Sequence, residues 1–356
     1  MRIGFFNGYS IWGGGEKWHI EMAKNCHDKG DKVFIYSPID GELAKRSRDL
    51  GFHIRDVQIT KNSYFNIFFY FKVKAMIERD KLDVLVFNSF RDVRSAALAV
   101  KAAKVKKVVL RCGMPIAPKQ SLSYRLAFQR GIDYFVPISE AVRDEFKNKS
   151  PLLLSENKYA PVIANGIDLD DFSYVGETSE ELITLGNAVR LSHQKGLDML
   201  LPSLKILKER GHHFVMKIAG TGEESESLEK LRSELGLEKE VEFLGHTDDV
   251  ASFVKTIDIY AFTSRYEGTA RSMIEAMACG KPVVAFNTSS MKEVVADSKS
   301  GFLAEAFSEE DFANKLEILI KDKNLRAQFG KNGRQIVEEK FDKKKNFARW
   351  YDFLSK

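Results

Sequence analysis

Glu267 and Glu275, with seven residues between them, stand in the string Tyr266-Glu267-Gly268-Thr269-Ala270-Arg271-Ser272-Met273-Ile274-Glu275-Ala276-Met277-Ala278-Cys279-Gly280-Lys281-Pro282. The apolar run 257–263 ahead of it reads as a strand, so the string reads as a short loop and then a helix beginning near Thr269. A helix start leaves backbone N–H groups unpaired and carries about half a positive charge. With Thr269 and Ala270 beside it, that start suits an anion such as a diphosphate. Gly268 lets the backbone approach a ligand closely. Glu267 can accept hydrogen bonds from sugar hydroxyls, and Glu275, deeper, offers two oxygens to a ribose diol.

A second set of chemically apt residues lies in Leu185-Gly186-Asn187-Ala188-Val189-Arg190-Leu191-Ser192-His193-Gln194-Lys195-Gly196. A strand is expected to end at Gly186, which puts Arg190 and Lys195 in the following loop. Two fixed cations there can neutralise a diphosphate leaving group, where charge develops as a glycosidic bond breaks. A third set is Gly13-Gly14-Gly15-Glu16, directly after the first apolar run. Three glycines can form a nest of N–H groups against phosphate or sugar. The set is neither the Gly-x-Gly-x-x-Gly dinucleotide fingerprint nor a phosphate loop ending in Gly-Lys-Ser/Thr.

The elements that must hold these residues alternate from end to end. Strands are expected at 2–7, 32–37, 53–59, 84–88, 108–111 and 134–138, with helices at 16–29, 91–104 and 120–131 between them. The pattern restarts with strands at 183–187, 214–219, 241–244, 257–263 and 282–286, and helices at 197–210, 223–235, 271–279 and 309–321. Short apolar strands alternating with helices predict parallel sheets covered on both faces. Two doubly wound α/β domains facing across a cleft follow, with ligands beyond the carboxyl ends of the strands. The break falls at 165–179, where Asn-Gly-Ile-Asp precedes a polar stretch. The domains are then 1–166 and 167–341, with the aromatic tail helix 342–356 crossing back onto the first.

The 356 residues suit two domains. A net charge of +5 is mild and fits phosphate or an anionic surface as well as plain solvation. Cys26, Cys112 and Cys279 are too far apart for a metal site or disulfide framework. No apolar run approaches the ~20 residues of a membrane span, and none suits a signal peptide. A cytoplasmic protein is expected. The segment 61–74 is aromatic with lysines at its ends. Its apolar residues run nearly all round a helix, which predicts burial. Exposed, it would instead lie on a membrane surface.

Taken together, the glycine loop, Asn165-Gly166-Ile167-Asp168, the Gly-to-Arg-to-Lys-Gly stretch and the spaced glutamates give a resemblance covering nearly all of the chain. It resembles the retaining glycosyltransferases of family 4, which have the two-domain GT-B fold. The resemblance implies that Arg190 and Lys195 bind the donor diphosphate and that Glu267 contacts the donor sugar. It places the backbone of Gly268 to Ala270 near sugar and phosphates, and Glu275 on the ribose. Gly13, Gly14 and Gly15 would approach the phosphates from the opposite domain, with Gly186, Gly222 and His246 lining the donor site. Asn165 and Arg111 would stand on the acceptor side. The resemblance also implies a nucleotide-sugar donor (UDP-linked before GDP-linked), no bound metal, no nucleic acid, and a glycan or lipid-linked acceptor of bacterial polysaccharide or lipopolysaccharide synthesis, with peripheral membrane association.

Two departures stand out. Thr269-Ala270-Arg271 replaces the Phe-Gly found after Glu-Gly in many members, and Arg111-Cys112-Gly113 replaces a His after the strand. Arg111 contacts a phosphate or pairs with a carboxylate; both readings stay open here. Asp168-Leu169-Asp170 has the spacing of a metal-binding Asp-x-Asp, but its place after Asn-Gly reads better as a turn. A nucleotide-sugar epimerase on the same fold and a non-enzymatic binding module are the alternatives.

Overall fold

A computed structural model describes residues 1–10, 12–176 and 182–356. Residues 177–179 of the expected hinge lie outside the described residues. The chain divides into two compact units. Unit 1 comprises Met1–Ile163 and Phe347–Lys356, and unit 2 comprises Ala164–Asn346.

Unit 1 runs β1 (Arg2–Phe6), α1 (Gly14–Asp28), β2 (Lys32–Ser37), α2 (Glu42–Asp49), β3 (His53–Asp56), α3 (Ile67–Asp80), β4 (Val84–Phe87), α4 (Phe90–Ala102), β5 (Lys107–Cys112), α5 (Leu122–Gly131), β6 (Tyr134–Pro137) and α6 (Glu140–Lys149). The strands pair in parallel in the order β3-β2-β1-β4-β5-β6. Alternate strand residues feed two cores. Phe6, Leu85, Phe87, Val108 and Leu110 pack with residues of α3 to α6. Ile3, Phe5, Val33, Ile35, Val84 and Val86 pack with residues of α1 and α2.

Unit 2 repeats the plan with β7 (Ile183–Ala188), α7 (Leu197–Glu209), β8 (Phe214–Ala219), α8 (Ser225–Glu234), β9 (Val241–Gly245), α9 (Val250–Lys255), β10 (Ile259–Phe262), α10 (Arg271–Ala278), β11 (Val283–Phe286), α11 (Met291–Val294), β12 (Gly301–Ala304), α12 (Glu309–Lys321) and α13 (Lys323–Lys340). Its order is β12-β11-β10-β7-β8-β9, the same topology counted from its own first strand. In both sheets the order reverses beside the first strand, between β1 and β4 and between β7 and β10. Loops leaving the carboxyl ends diverge there and open a crevice. The 3-2-1-4-5-6 order is that of the doubly wound fold.

A last helix, α14 (Lys343–Ser355), starts in unit 2 and ends in unit 1. Its Trp350 is fully buried, with its ring 4.8 Å from that of Trp18, and Phe347 and Leu354 join the same core.

Two expectations from the sequence need correction. The segment 61–74 is not buried as a whole: Phe65, Ile67, Phe68 and Phe71 are exposed, and only Val73, Ile77 and Asp80 of α3 are buried. The expected strand 53–59 stops at Asp56. At 165–168 the chain crosses α14, and Ile167 N–H donates to the Phe341 carbonyl at 2.9 Å. Asp168 and Asp170 are paired with Lys343 (3.0 Å) and Lys344 (2.7 Å) in a turn.

Candidate active site

In unit 2 the loops after β7 and β10 meet at the switch point, and a dense set of bonds pins one to the other. The Thr263 hydroxyl donates to the Lys195 carbonyl (3.1 Å), Arg265 N–H to the Gln194 carbonyl (2.8 Å), and the Gln194 amide to the Tyr266 carbonyl (2.9 Å). The Arg265 guanidinium gives hydrogen bonds to the His193 carbonyl (2.6 Å) and to both oxygens of Asp198 (2.9 and 2.7 Å). That forked pairing holds the Asp198 carboxyl below its usual range. Below the loops, the fully buried Tyr260 hydroxyl accepts from Ala188 N–H at 3.1 Å and donates to its carbonyl at 3.3 Å. Burial pushes the phenol well above its usual range, so it stays protonated.

This clamp brings Lys195 and Glu267 together as an ion pair, with side chains only 18% and 10% exposed. Lys195 ends a 3-10 turn, His193–Lys195, and the next residue, Gly196, is left-handed at φ 65°. A Cβ there would run into the Thr263 carbonyl, so the close approach of the loops needs glycine. The Glu267 carbonyl accepts from the Ser290 hydroxyl at 3.2 Å. On either side of Glu267, the hydroxyls of Ser264 and Thr269 are buried and have no hydrogen-bond partner among the described residues. Unsatisfied buried hydroxyls cost about 1–3 kcal/mol each and mark places where a ligand can supply partners.

The helix after Glu267 begins at Arg271, as the expected span 271–279 has it, rather than near Thr269, because Ala270 takes a left-handed conformation at φ 46°. A left-handed alanine is strained by about 1–2 kcal/mol. No side chain caps α10 among the described residues, and of its first-turn N–H groups that of Met273 donates to the Ala270 carbonyl (3.1 Å) while those ahead of it lie before any intrahelical acceptor. Glu275 is buried one turn in and accepts from Arg271 Nε at 2.7 Å. Gly268 lies buried between Glu267 and Thr269.

Arg190 is different in kind. Its side chain is 72% exposed and meets Glu223 at 3.0 Å. Its neighbours Val189 and Leu191 are tied down by the Ala219 (2.9 Å) and Thr221 (3.0 Å) carbonyls, which leaves Arg190 pointing outward. Gly222 serves that backbone pairing, since a Cβ would strike the Leu191 carbonyl. Gly186 is not at a strand end: β7 continues to Ala188, and the Gly186 Cα packs on Ile257. Both glycines thus act by letting chain segments approach. His246 sits on the surface after β9, 3.1 Å from Asp248.

Unit 1 gathers a polar group at its own switch point. Asn7 follows β1 and donates to Glu16 of α1 (2.6 Å). Arg111, buried in β5, donates to Asn88 after β4 (2.6 Å) and lies 4.5 Å over the Trp18 ring. Burial lowers its pKa to about 10. Two of the groups that Arg111 meets are thus an amide and an indole. Gly13 precedes α1 in extended conformation, and Gly14 and Gly15 form its first turn. This is a helix start, not the expected nest; a Cβ at Gly15 would push against the Asn88 side-chain amide. Asn165 belongs to unit 2, so the structure does not place it with Arg111.

Asn7, Asn88, Gln194, Ser264 and Arg265 were not singled out from sequence. Each stands at or just past the carboxyl end of a strand, or pins a loop that does, and that position was the available signal.

Two parallel six-stranded sheets flanked by helices, with polar loops at their switch points, define the GT-B class of glycosyltransferases. Residues 174–336 match the family model described as Glycosyl transferases group 1, and residues 12–171 match that of Glycosyltransferase Family 4. The chain belongs to these glycosyltransferases. An uncharacterized glycosyltransferase of Haemophilus influenzae is 34% identical over 172 residues, a stretch spanning 48% of each chain. The N,N'-diacetylbacillosaminyl-diphospho-undecaprenol alpha-1,3-N-acetylgalactosaminyltransferase of Campylobacter jejuni is 26% identical over 94% of this chain and 93% of its own. Among solved structures, Anabaena HepE in complex with UDP superposes with a TM-score of 0.85 at 23% identity, covering all of both chains.

Proposed function

We propose that this chain is a retaining hexosyltransferase that moves a sugar from a nucleoside diphosphate, UDP first, onto a hydroxyl of a glycan or lipid-linked glycan in bacterial surface-polysaccharide synthesis. One observation carries the reading: the Lys195–Glu267 pair, held nearly dry at the switch point beside the uncapped start of α10 and two partnerless hydroxyls. The UDP bound by HepE and the lipid-diphosphate acceptor named for the Campylobacter enzyme support the donor and acceptor classes.

In this mechanism the diphosphate takes over Lys195 and the first N–H groups of α10, which releases Glu267 to accept from the donor sugar's hydroxyls. Arg190 closes on the phosphates from solvent, and Glu275, steadied by Arg271, holds the ribose. The bond from the anomeric carbon to the diphosphate oxygen breaks through an oxocarbenium-like state. The acceptor oxygen bonds to that carbon from the same face, and its proton passes to the departing phosphate oxygen. Arg190, Lys195 and the helix start supply the positive charge, so no bound metal is required.

Thermal melting with UDP, GDP, CDP and ADP tests the donor site. A ligand that binds only the folded state at a hundredfold excess over its Kd adds about 2.7 kcal/mol. A rise with UDP and none with ADP is expected; no rise with any of them overturns the site. Arg190→Ala should cut kcat by about a hundredfold or more, as loss of a transition-state charge contact does. Full turnover in that variant removes Arg190 from the mechanism. NMR of the product's anomeric proton decides retention.

A further inference from the structure

We infer that Arg271 binds the phosphate next to the ribose, bridging it to the carboxylate that holds the ribose. The inference deepens the donor reading and rests on it. Arg271 is the first residue of α10. For the helix alone, a cation there is misplaced. The start of a helix is the positive end of its dipole, which favours carboxylates and disfavours arginine. Its pairing also runs the less favourable way. Arg271 lies four residues ahead of Glu275, whereas a helix gains more from the acid nearer its start. An anion set at the start of α10 reverses both effects, because it answers the dipole and the guanidinium together.

The surroundings are built for such an anion. No side chain caps α10 among the described residues. The Thr269 hydroxyl, in a residue only 7% exposed, has no hydrogen-bond partner among them either. Between Thr269 and Arg271, Ala270 is held left-handed, a strained conformation of the kind that clusters around ligands. The Arg271 guanidinium divides its donors. Nε donates to Oε1 of Glu275 at 2.7 Å. The Glu275 side chain is 9% exposed, whereas that of Arg271 is 53% exposed. The two terminal nitrogens of Arg271 make no hydrogen bond among the described residues. One edge of the fork thus lies on the carboxylate, and the other keeps its donors for a phosphate oxygen.

The pairing identifies which phosphate. Each glutamate of the site has its own cation: Glu267 has Lys195, and Glu275 has Arg271. Burial first, and then both carboxylates, raise the pKa of the Tyr260 hydroxyl, so the two pairs are neighbours. A nucleotide sugar runs sugar, phosphate, phosphate, ribose. The two pairs repeat that order as Glu267, Lys195, Arg271, Glu275. Lys195, beside the carboxylate for the sugar, serves the phosphate that leaves the sugar. Arg271, beside the carboxylate for the ribose, serves the phosphate that adjoins the ribose.

Titration calorimetry of the whole chain with UDP, UMP, GDP and GMP tests the inference. Arg271→Gln is the first variant, because glutamine still donates to Glu275 but carries no charge; the side chain is half-exposed, so the fold is kept. It should weaken the diphosphate that binds and its monophosphate alike, by about tenfold or more, the scale of one charge-assisted hydrogen bond. Arg271→Lys, a point charge without the fork, should recover part of that loss. Glu275→Gln separates a phosphate ligand from a residue that only orients Glu275. Arg271→Gln should cost the same factor in the Glu275→Gln background as in wild type. A loss confined to the wild-type background overturns the inference, since Arg271 then acts through Glu275. Unchanged affinities overturn it too, as does a loss for the diphosphate with none for the monophosphate. Those three outcomes leave the donor site standing. Wild-type protein that binds none of the four nucleotides removes the donor site itself, and the role of Arg271 with it.

Discussion

His19 is fully buried against Phe5 and Trp18, and neither ring nitrogen has a hydrogen-bond partner among the described residues. Burial first, and then the nearby Arg111, lower its pKa to about 3. Its ordinary value is about 6.5, so the unfolded chain takes up a proton that the folded chain refuses. The stability held by the neutral ring is complete above pH ~6.5 and is lost at about 1.4 kcal/mol per pH unit below it. Urea unfolding of His19→Leu between pH 7 and pH 4 should show a shallower decline than wild type; equal slopes would mean that the ring is protonated in the fold. The sequence offered no hint of this histidine. It did offer Lys195, Glu267 and Glu275, because charged side chains at fixed distances from a strand and a helix start are visible as spacing. It ended the strand at Gly186, two residues early, since a glycine that admits a ligand and one that admits a neighbouring strand look alike in one dimension.

The elements show a similar divide. Short apolar strands between helices were legible, and 32–37 and 214–219 match β2 and β8 residue for residue. The strand β12 and the helices α2, α6 and α13 went unread: β12 is four residues long, and α13 opens with an Asp322 cap rather than an apolar stripe. The clamp between the loops after β7 and β10 was invisible, because Arg265 and Asp198 are 67 residues apart in sequence. Gly196→Ala tests what that clamp tolerates. Alanine at φ 65° is strained and its Cβ also meets the Thr263 carbonyl. Gly211→Ala, at φ 82° with open space around it, has the strain alone. The control should lose about 1 kcal/mol, and Gly196→Ala about 2 kcal/mol or more, together with weaker nucleotide binding. Equal losses in the two variants would show that the loops can part without cost.

At the scale of the whole molecule, the repeated strand order accounts for why one topology carries two polar sites, each at its own reversal point. The sequence announced the two halves through the restart of its alternation, and the returning tail through its aromatic residues. Phe347, Trp350 and Leu354 complete the core that Trp18 and Met22 begin. Trp350→Ala should therefore cost unit 1 about 3–5 kcal/mol, as removal of a large core ring does. Followed in urea by tryptophan fluorescence, which reports unit 1 because Trp12, Trp18 and Trp350 all lie there, and by far-ultraviolet circular dichroism of the whole chain, unit 1 should then unfold before unit 2; coincident, unshifted transitions would show that the tail is dispensable.

The same closure has a bearing on synthesis. Residues 164–346 leave the ribosome between the body of unit 1 and the helix that seals it. At about 5–20 residues per second that interval is on the order of 10–40 s. Throughout it the face of Trp18, Met22 and Phe5 waits uncovered on a nascent chain, a natural foothold for a chaperone and a point at which translation speed sets the yield of folded enzyme.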